Sequence, residues 1–173
     1  MFAEGLLHKS EAGGIKLNLR NAEELRIAYR EMISHITQQF PEAQIIGVMV
    51  EKMAPKGKEV IVGMRRDATF GPMLMFGMGG VLVEQIKDIS FKVAPLSGED
   101  IDDMLASTIA GKLLAGYRGA AKGDIAAVKD VIARLSQLGL DFPEIAEVEI
   151  NPLIVYPEGQ GALALDSRAI LKH

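Results

Sequence analysis

Glu147-Val148-Glu149-Ile150-Asn151-Pro152-Leu153-Ile154-Val155-Tyr156-Pro157-Glu158-Gly159-Gln160-Gly161-Ala162-Leu163-Ala164-Leu165-Asp166 is the stretch on which the reading of this chain turns. Two apolar runs flank Pro157-Glu158-Gly159-Gln160, which predicts a β-hairpin with Glu158 and Gly159 as its central residues. With Pro157 facing Gln160, counting back along both strands sets Val155 opposite Ala162, Leu153 opposite Ala164 and Asn151 opposite Asp166. Directly opposite side chains share a face, with Cβ atoms about 4.5–5.5 Å apart. Glu149, two residues before Asn151, falls on the same side. Ile150, Ile154, Leu163 and Leu165 are then expected on the other. One carboxamide and two carboxylates on neighbouring strands suit Mg²⁺, which usually takes one or two carboxylates and leaves room for water and phosphate. The same pattern also describes the solvated polar edge of an ordinary hairpin.

The 173-residue chain has 49% hydrophobic and 24% charged residues, the balance of a globular protein with one sizeable core or two small subdomains. No segment approaches a membrane-spanning apolar run and the N-terminus lacks a signal-peptide layout, so a cytoplasmic protein without a membrane partner is expected. The absence of cysteine excludes disulfides, thiolate metal sites and cysteine nucleophiles. A net charge of −4 argues against broad nucleic-acid binding, although a local pair such as Arg65 and Arg66 suffices for a single nucleotide.

Along the chain, Ile15-Lys16-Leu17-Asn18-Leu19 alternates as a strand does. His8, just before it, is either an exposed loop side chain or a group that handles protons or phosphoryl. Asn21 caps a predicted helix that keeps apolar residues at helical spacing as far as Pro41. Ile45–Val50 and Glu59–Met64 read as two antiparallel strands, joined by the turn-rich Glu51–Lys58. Asp67–Pro72 reads as a loop. Met73–Phe76, Val81–Glu84 and Ile89–Val93 read as strands. Between the first two lies Gly77-Met78-Gly79-Gly80, which either lets backbone N–H groups approach an anion or makes a tight turn. It is neither a Walker A loop nor a Gly-x-Gly-x-x-Gly that opens a helix. Ser97 caps a helix that Gly111 is expected to interrupt. Arg118, between glycines, is a bidentate anion donor or simply solvated. Asp124 caps the cleanest amphipathic helix, with Gly139 as its expected stop. Strands and helices mixed with hairpins predict an α+β layer sandwich and not a parallel βαβ sheet.

Taken together, Leu7-His8-Lys9-Ser10-Glu11-Ala12-Gly13-Gly14, Glu59-Val60-Ile61-Val62-Gly63-Met64-Arg65-Arg66-Asp67 with Phe70-Gly71-Pro72, Met75-Phe76-Gly77-Met78-Gly79-Gly80, Gly116-Tyr117-Arg118-Gly119 and Glu149-Ile150-Asn151-Pro152-Leu153 resemble the ATP-grasp domain of ADP-forming acyl-CoA synthetases, relatives of the succinyl-CoA synthetase β subunit. The resemblance runs nearly end to end. It implies two α/β subdomains that grip ATP, with residues 1–44 a remnant of the first and 45–173 the second, which binds nucleotide and metal. It further implies a ligase reaction in which acyl-CoA, ADP and phosphate become carboxylate, CoA and ATP through phosphohistidines. A CoA-binding domain or subunit is the implied partner, within an oligomeric enzyme.

Residue by residue, the resemblance assigns Mg²⁺ to Asn151 and Asp166, in agreement with the hairpin register. It makes His8 a phosphoryl carrier and sets Glu149, at a position often Asp in the family, beside the metal or that histidine. Glu51, Lys52 and Met53 fall where the family contacts adenine, and Glu59 where it binds ribose. Arg65, the Gly77, Gly79 and Gly80 turn, and Arg118 become contacts to phosphate or phosphohistidine. Family members carry, ahead of the His-Lys-Ser motif, a long segment with a nucleotide-binding lysine, whereas only Met1–Leu6 precede it here. The expectation is a fragment, or a piece completed by another chain, inactive alone because phosphoryl transfer depends on positioned charge. The alternatives are a non-catalytic fragment and a regulatory synthetase-like domain of a protein acetyltransferase.

Overall fold

The computed structural model describes residues 2–4, 13–80 and 88–172, with 2–4 and Arg118 described by their backbone alone. The strand expected at Val81–Glu84 lies outside the described residues. The chain divides into two compact units, Met1–Pro55 and Lys56–His173.

In the first unit, strands β1 (Phe2–Glu4) and β2 (Gln44–Gly47) form a two-stranded antiparallel sheet. Helix α1 (Ala22–Gln39) begins at Asn21, whose side chain accepts a hydrogen bond from Glu24 N at 2.9 Å, and Glu23 and Glu24 favour the positive end of the helix dipole. Ala28, Met32 and Ile36 repeat every fourth residue and are its buried face, with Ile45 and Val48 packed on Met32 and Ile36. The strand expected at Ile15–Leu19 does not form. Asn18 takes a left-handed φ of +61°, which breaks an extended run, and Ile15 and Leu17 are exposed. Nor do the strands at 44–47 and 58–67 pair as expected: β2 pairs with β1.

The second unit is a two-layer α+β sandwich. Its strands are β3 (Lys58–Asp67), β4 (Gly71–Met78), β5 (Ile89–Val93), β6 (Ile145–Val155), β7 (Ala162–Ala164) and β8 (Ser167–Leu171), in the order β5-β4-β3-β6-β7 with β8 also on β6, all pairs antiparallel. Helices α2 (Gly98–Ser107), α3 (Ile109–Leu114) and α4 (Ile125–Asp141) supply the other layer. Val60, Val62 and Met64 of β3 and Leu74 and Phe76 of β4 alternate onto the same face. They form one core with Ile101, Met104, Leu114, Val128, Ile132 and Leu135 of the helices. The segment expected to be a loop at 67–72 narrows to a three-residue turn at 68–70, between the end of β3 and the start of β4. Asp67 Oδ1 accepts from Thr69 N at 2.8 Å and Phe70 N at 3.0 Å, closing a hairpin tight enough to pair Asp67 with Gly71.

Two glycines expected to end helices pack inside them. The break between α2 and α3 falls at Thr108, which is extended (φ −105°, ψ 157°) and whose Oγ1 accepts from Gly111 N at 3.0 Å. Gly111 is buried within α3, where a Cβ would collide with the Leu105 carbonyl. Gly139 is buried in α4, two residues before its end; a Cβ there would stand 2.9 Å from Pro72 Cβ and 3.2 Å from Met64 Cγ. The end of α4 is closed by Arg66, which donates to the carbonyls of Gly139 (2.6 Å), Phe142 (3.1 Å) and Ile145 (3.2 Å). Arg66 is therefore a helix cap and has no donor fork left for a nucleotide.

The decisive hairpin has the expected register, with Leu153 opposite Ala164 and Val155 opposite Ala162. Asn151 N donates to Asp166 O at 3.1 Å, and β8 continues the count with Ile150 opposite Ser167. Its faces differ from the expectation. Between the pairs Val60/Leu153 and Val62/Ile150, β3 advances two residues while β6 advances three, so a bulge at Asn151-Pro152 reverses the alternation. Leu153, Val155, Val148 and Ile150 consequently all pack into the helix-side core, and Leu163 and Leu165 are exposed.

Candidate functional site

Glycine at three positions lets the end of β4 lie flat against its neighbours. A Cβ on Gly77 would collide with the Asp88 carbonyl, and one on Gly79 would stand 2.6–2.7 Å from Val60 backbone atoms. Gly80 has φ +72°, and its Cβ would run into Glu59 Oε2. The turn is thereby tied down: Met78 N donates to Asp88 O (3.2 Å), Gly79 N to Glu59 O (3.1 Å) and Gly80 N to Asn151 Oδ1 (3.1 Å). These N–H groups are engaged by protein acceptors, so the turn's direct role is to hold Asn151 and not to offer free donors to an anion.

The Gly80 contact also orients the Asn151 side chain. One lone pair of Oδ1 receives the Gly80 N–H, which leaves the second open and turns the amide oxygen toward the glycine turn. Asp166 lies across the hairpin, exposed, and its carboxylate has no hydrogen bond or ion pair among the described residues. No group of three or more histidine or acidic side chains able to hold a metal occurs among the described residues. A cation held by Asn151 and Asp166 would thus take most of its ligands from phosphate and water. That donor set, one carboxylate and one amide oxygen, fits Mg²⁺.

On the face of the sheet away from the helices, β3, β6 and β8 carry a ladder of charges. Arg65 Nε stands 4.0 Å from Glu147 Oε2, and Arg168 Nη2 stands 2.8 Å from Glu147 Oε1 and 4.0 Å from Glu149 Oε2. Arg65 has 81% of its side chain exposed, which leaves its guanidinium open to a ligand. Glu149 precedes Asn151 by two residues, about 7 Å along an extended strand.

Glu59, Arg65, Gly77, Gly79, Gly80, Glu149, Asn151 and Asp166 are thus gathered on β3, the end of β4 and the β6 hairpin of the second unit. Glu51, Lys52 and Met53 are exposed residues at the end of the first unit. Arg118 lies in a single 3₁₀ turn, Tyr117–Gly119, entered through Gly116 at φ +91°. His8 lies outside the described residues. The sequence reading missed Arg168 and Asp88. Arg168 was within reach of the same register count, one pair beyond Ile150/Ser167, whereas nothing local marks Asp88.

Residues 1–171 match the family model described as the ATP-grasp domain. The chain belongs to the ATP-grasp family. Among its ATP-grasp relatives it is 45% identical over 166 residues to subunit beta of acetate–CoA ligase [ADP-forming] I of Pyrococcus furiosus, covering 96% of this chain and 71% of that subunit. It is 44% identical over 166 residues to acetate–CoA ligase [ADP-forming] I of Archaeoglobus fulgidus, covering 96% of this chain and 24% of that protein. Among solved structures it superimposes on dinucleotide forming acetyl-coenzyme A synthetase 1 of Ca. Korarchaeum cryptofilum, in complex with coenzyme A and Ca-AMPCP. The TM-score is 0.89 at 46% identity, over 98% of this chain and 73% of that one. A second structure of that synthetase, with coenzyme A and Mg-AMPPCP and its phosphohistidine segment pointing towards the nucleotide binding site, gives 0.82 at 44% identity, over 99% and 74%. No helix among the described residues is long and apolar enough to cross a membrane.

Proposed function

We propose that this chain is the nucleotide- and Mg²⁺-binding part of an ADP-forming acyl-CoA synthetase, an acid–thiol ligase, and that a CoA-binding domain or subunit handles the acyl-CoA. The observation that carries the reading is the Gly80 N–H on Asn151 Oδ1, with Asp166 directly across the hairpin. It orients an amide oxygen on a residue whose backbone partner across the hairpin, Asp166, carries a carboxylate unengaged among the described residues, the two donor types a phosphate-bound magnesium ion takes. The named relatives and the nucleotide complexes of the Korarchaeum synthetase support it.

In this reading Asn151 and Asp166 would hold Mg²⁺, which when bound neutralises phosphate charge. Glu51, Lys52 and Met53 line adenine, Glu59 meets the ribose, and Arg65 and Arg118 meet phosphate oxygens. His8 carries the phosphoryl group: an ADP β-phosphate oxygen attacks phosphorus, the P–N bond to the imidazole breaks, and ATP and neutral His8 are released after proton exchange with solvent. Glu149 serves that transfer as the acidic side chain the family resemblance sets by the metal or the phosphoryl carrier, and Arg168 and Arg65 keep the acid pair Glu147 and Glu149 compensated.

Calorimetric titration of the complete protein with ADP, with and without Mg²⁺, tests the binding claim. Magnesium should tighten ADP binding to the wild type and leave Asp166→Ala unaffected. Equal magnesium enhancement in both proteins removes Asp166 from the site. Labelling with γ-³²P-ATP tests the transfer: label should form on the wild type and be absent from a His8→Ala variant whose CoA-binding partner carries no histidine acceptor. Label retained by that variant at an acid-labile nitrogen places the phosphoryl group elsewhere.

A further inference from the structure

Asp88 lies just ahead of β5, and no role follows for it from the hairpin or the charge ladder. Its two side-chain oxygens reach a different layer of the unit: Oδ1 accepts from Ile109 N at 2.7 Å and Oδ2 from Ala110 N at 2.8 Å, the first two N–H groups of α3. Thr108 Oγ1 takes the third, Gly111 N, at 3.0 Å, so the start of α3 is fully satisfied, two parts by Asp88 and one from within. On its backbone side, Asp88 O accepts from Met78 N at 3.2 Å and occupies the space that a Cβ on Gly77 would need. One residue therefore joins the last strand bond before the glycine turn to the buried start of a helix, where Ala110 and Gly111 are anchored in the core. Two residues beyond Met78, Gly80 N holds Asn151 Oδ1.

We propose that Asp88 is a positioning residue for the metal site: its carboxylate, clamped on α3, fixes Gly77–Gly80 so that the Gly80 N–H meets and orients the Asn151 amide oxygen. This rests on the reading of Asn151 as a metal ligand. Asp88 touches neither nucleotide nor cation and acts through two backbone links, Asp88 O to Met78 N and Gly80 N to Asn151 Oδ1. Replacing it by asparagine puts an NH₂ against one of the two helix N–H donors, so one clamp is lost and two donors face each other. Groups that orient metal ligands from behind typically set metal affinity within about 10–100-fold.

The test uses the complete protein with Mn²⁺·ADP, read by electron paramagnetic resonance, which reports metal binding without turnover. Asp88→Asn should weaken Mn²⁺·ADP binding about tenfold. Thr108→Val loosens the same helix start from within and does not touch the turn; at a comparable loss of Tm it should bind as the wild type does. Wild-type affinity in Asp88→Asn overturns the proposal, and so does equal weakening in both variants, which would mean general loosening. If Asp88→Asn does not fold, hydrogen exchange in the wild type decides. The amides of Ile109, Ala110 and Gly80 should share one opening free energy, and Gly80 exchanging independently of the other two overturns the coupling. Asn151→Ala separates the premises: unchanged Mn²⁺·ADP affinity in that variant defeats the metal reading itself, whatever Asp88 does.

Discussion

Gly111→Ala separates two accounts of the helical layer by the sign of its effect. If Gly111 merely breaks a helix, alanine repairs it and stabilises the chain by about 1 kcal/mol, the difference in helix propensity. In the structure the break belongs to Thr108, and Gly111 is buried inside α3 with the Leu105 carbonyl where a Cβ would go. A backbone carbonyl cannot swing aside as a side chain can, so α2 and α3 must separate, an overpacking cost of about 1–3 kcal/mol. Separation also strains the Thr108 Oγ1 bonds to Gly111 N (3.0 Å) and Leu105 O (3.0 Å), and losing one adds about 1 kcal/mol. Against the propensity gain of about 1 kcal/mol, the net is a loss of about 1–3 kcal/mol. Urea unfolding followed by far-UV circular dichroism should show the midpoint of the second unit falling by about 0.5–1.5 M, for a slope of about 2 kcal/mol per molar. A midpoint unchanged or raised would refute the packing argument.

Arg66→Lys should cost about 1.5–3 kcal/mol in the same assay, because an ammonium cannot span the three carbonyls that the guanidinium closes, while ADP affinity stays unchanged. Asp124 is held below the ordinary carboxylate range by N–H donors, first Gly161 and then Ala127, which fasten α4 to the hairpin turn. Its folded pKa lies below the unfolded one, so this stabilisation is complete above the unfolded value of about 4 and is lost as pH falls through the folded value. Urea midpoints measured down to about pH 3 should fall less steeply in Asp124→Asn than in the wild type. Glu149→Ala should slow phosphoryl transfer in the complete enzyme by about a hundredfold or more and shift the unfolding free energy by less than about 1 kcal/mol, measured by quench-flow and urea titration.

The hairpin was legible because its turn has a composition that few other conformations share, and a turn fixes a register by counting. The same count, carried one pair further, would have set Arg168 opposite Glu149. What counting cannot see is a bulge: the extra residue at Asn151-Pro152 reverses every face beyond it, and so Leu153 and Ile150 share the core although strict alternation opposes them. Alternation alone also misled at Ile15–Leu19, where no strand among the described residues pairs with the segment and Asn18 turns left-handed. Gly111 and Gly139 looked like helix stops because glycine has two uses, conformational freedom and lack of bulk, and only the packing partner says which one operates. Arg66 was indistinguishable from Arg65 in sequence. Strand alternation points them to opposite faces, one to cap α4 and the other to an open surface. Asp88 left no trace because both its partners are backbone N–H groups of a distant helix.

The most direct test of the account is a crystal structure of the complete protein with Mg²⁺ and a non-hydrolysable ATP analogue. It should show the ion about 2.0–2.1 Å from Asn151 Oδ1 and from an Asp166 carboxylate oxygen, with phosphate oxygens and water filling the remaining positions. Nucleotide bound with its magnesium on other side chains, and Asn151 still held only by Gly80, would contradict it.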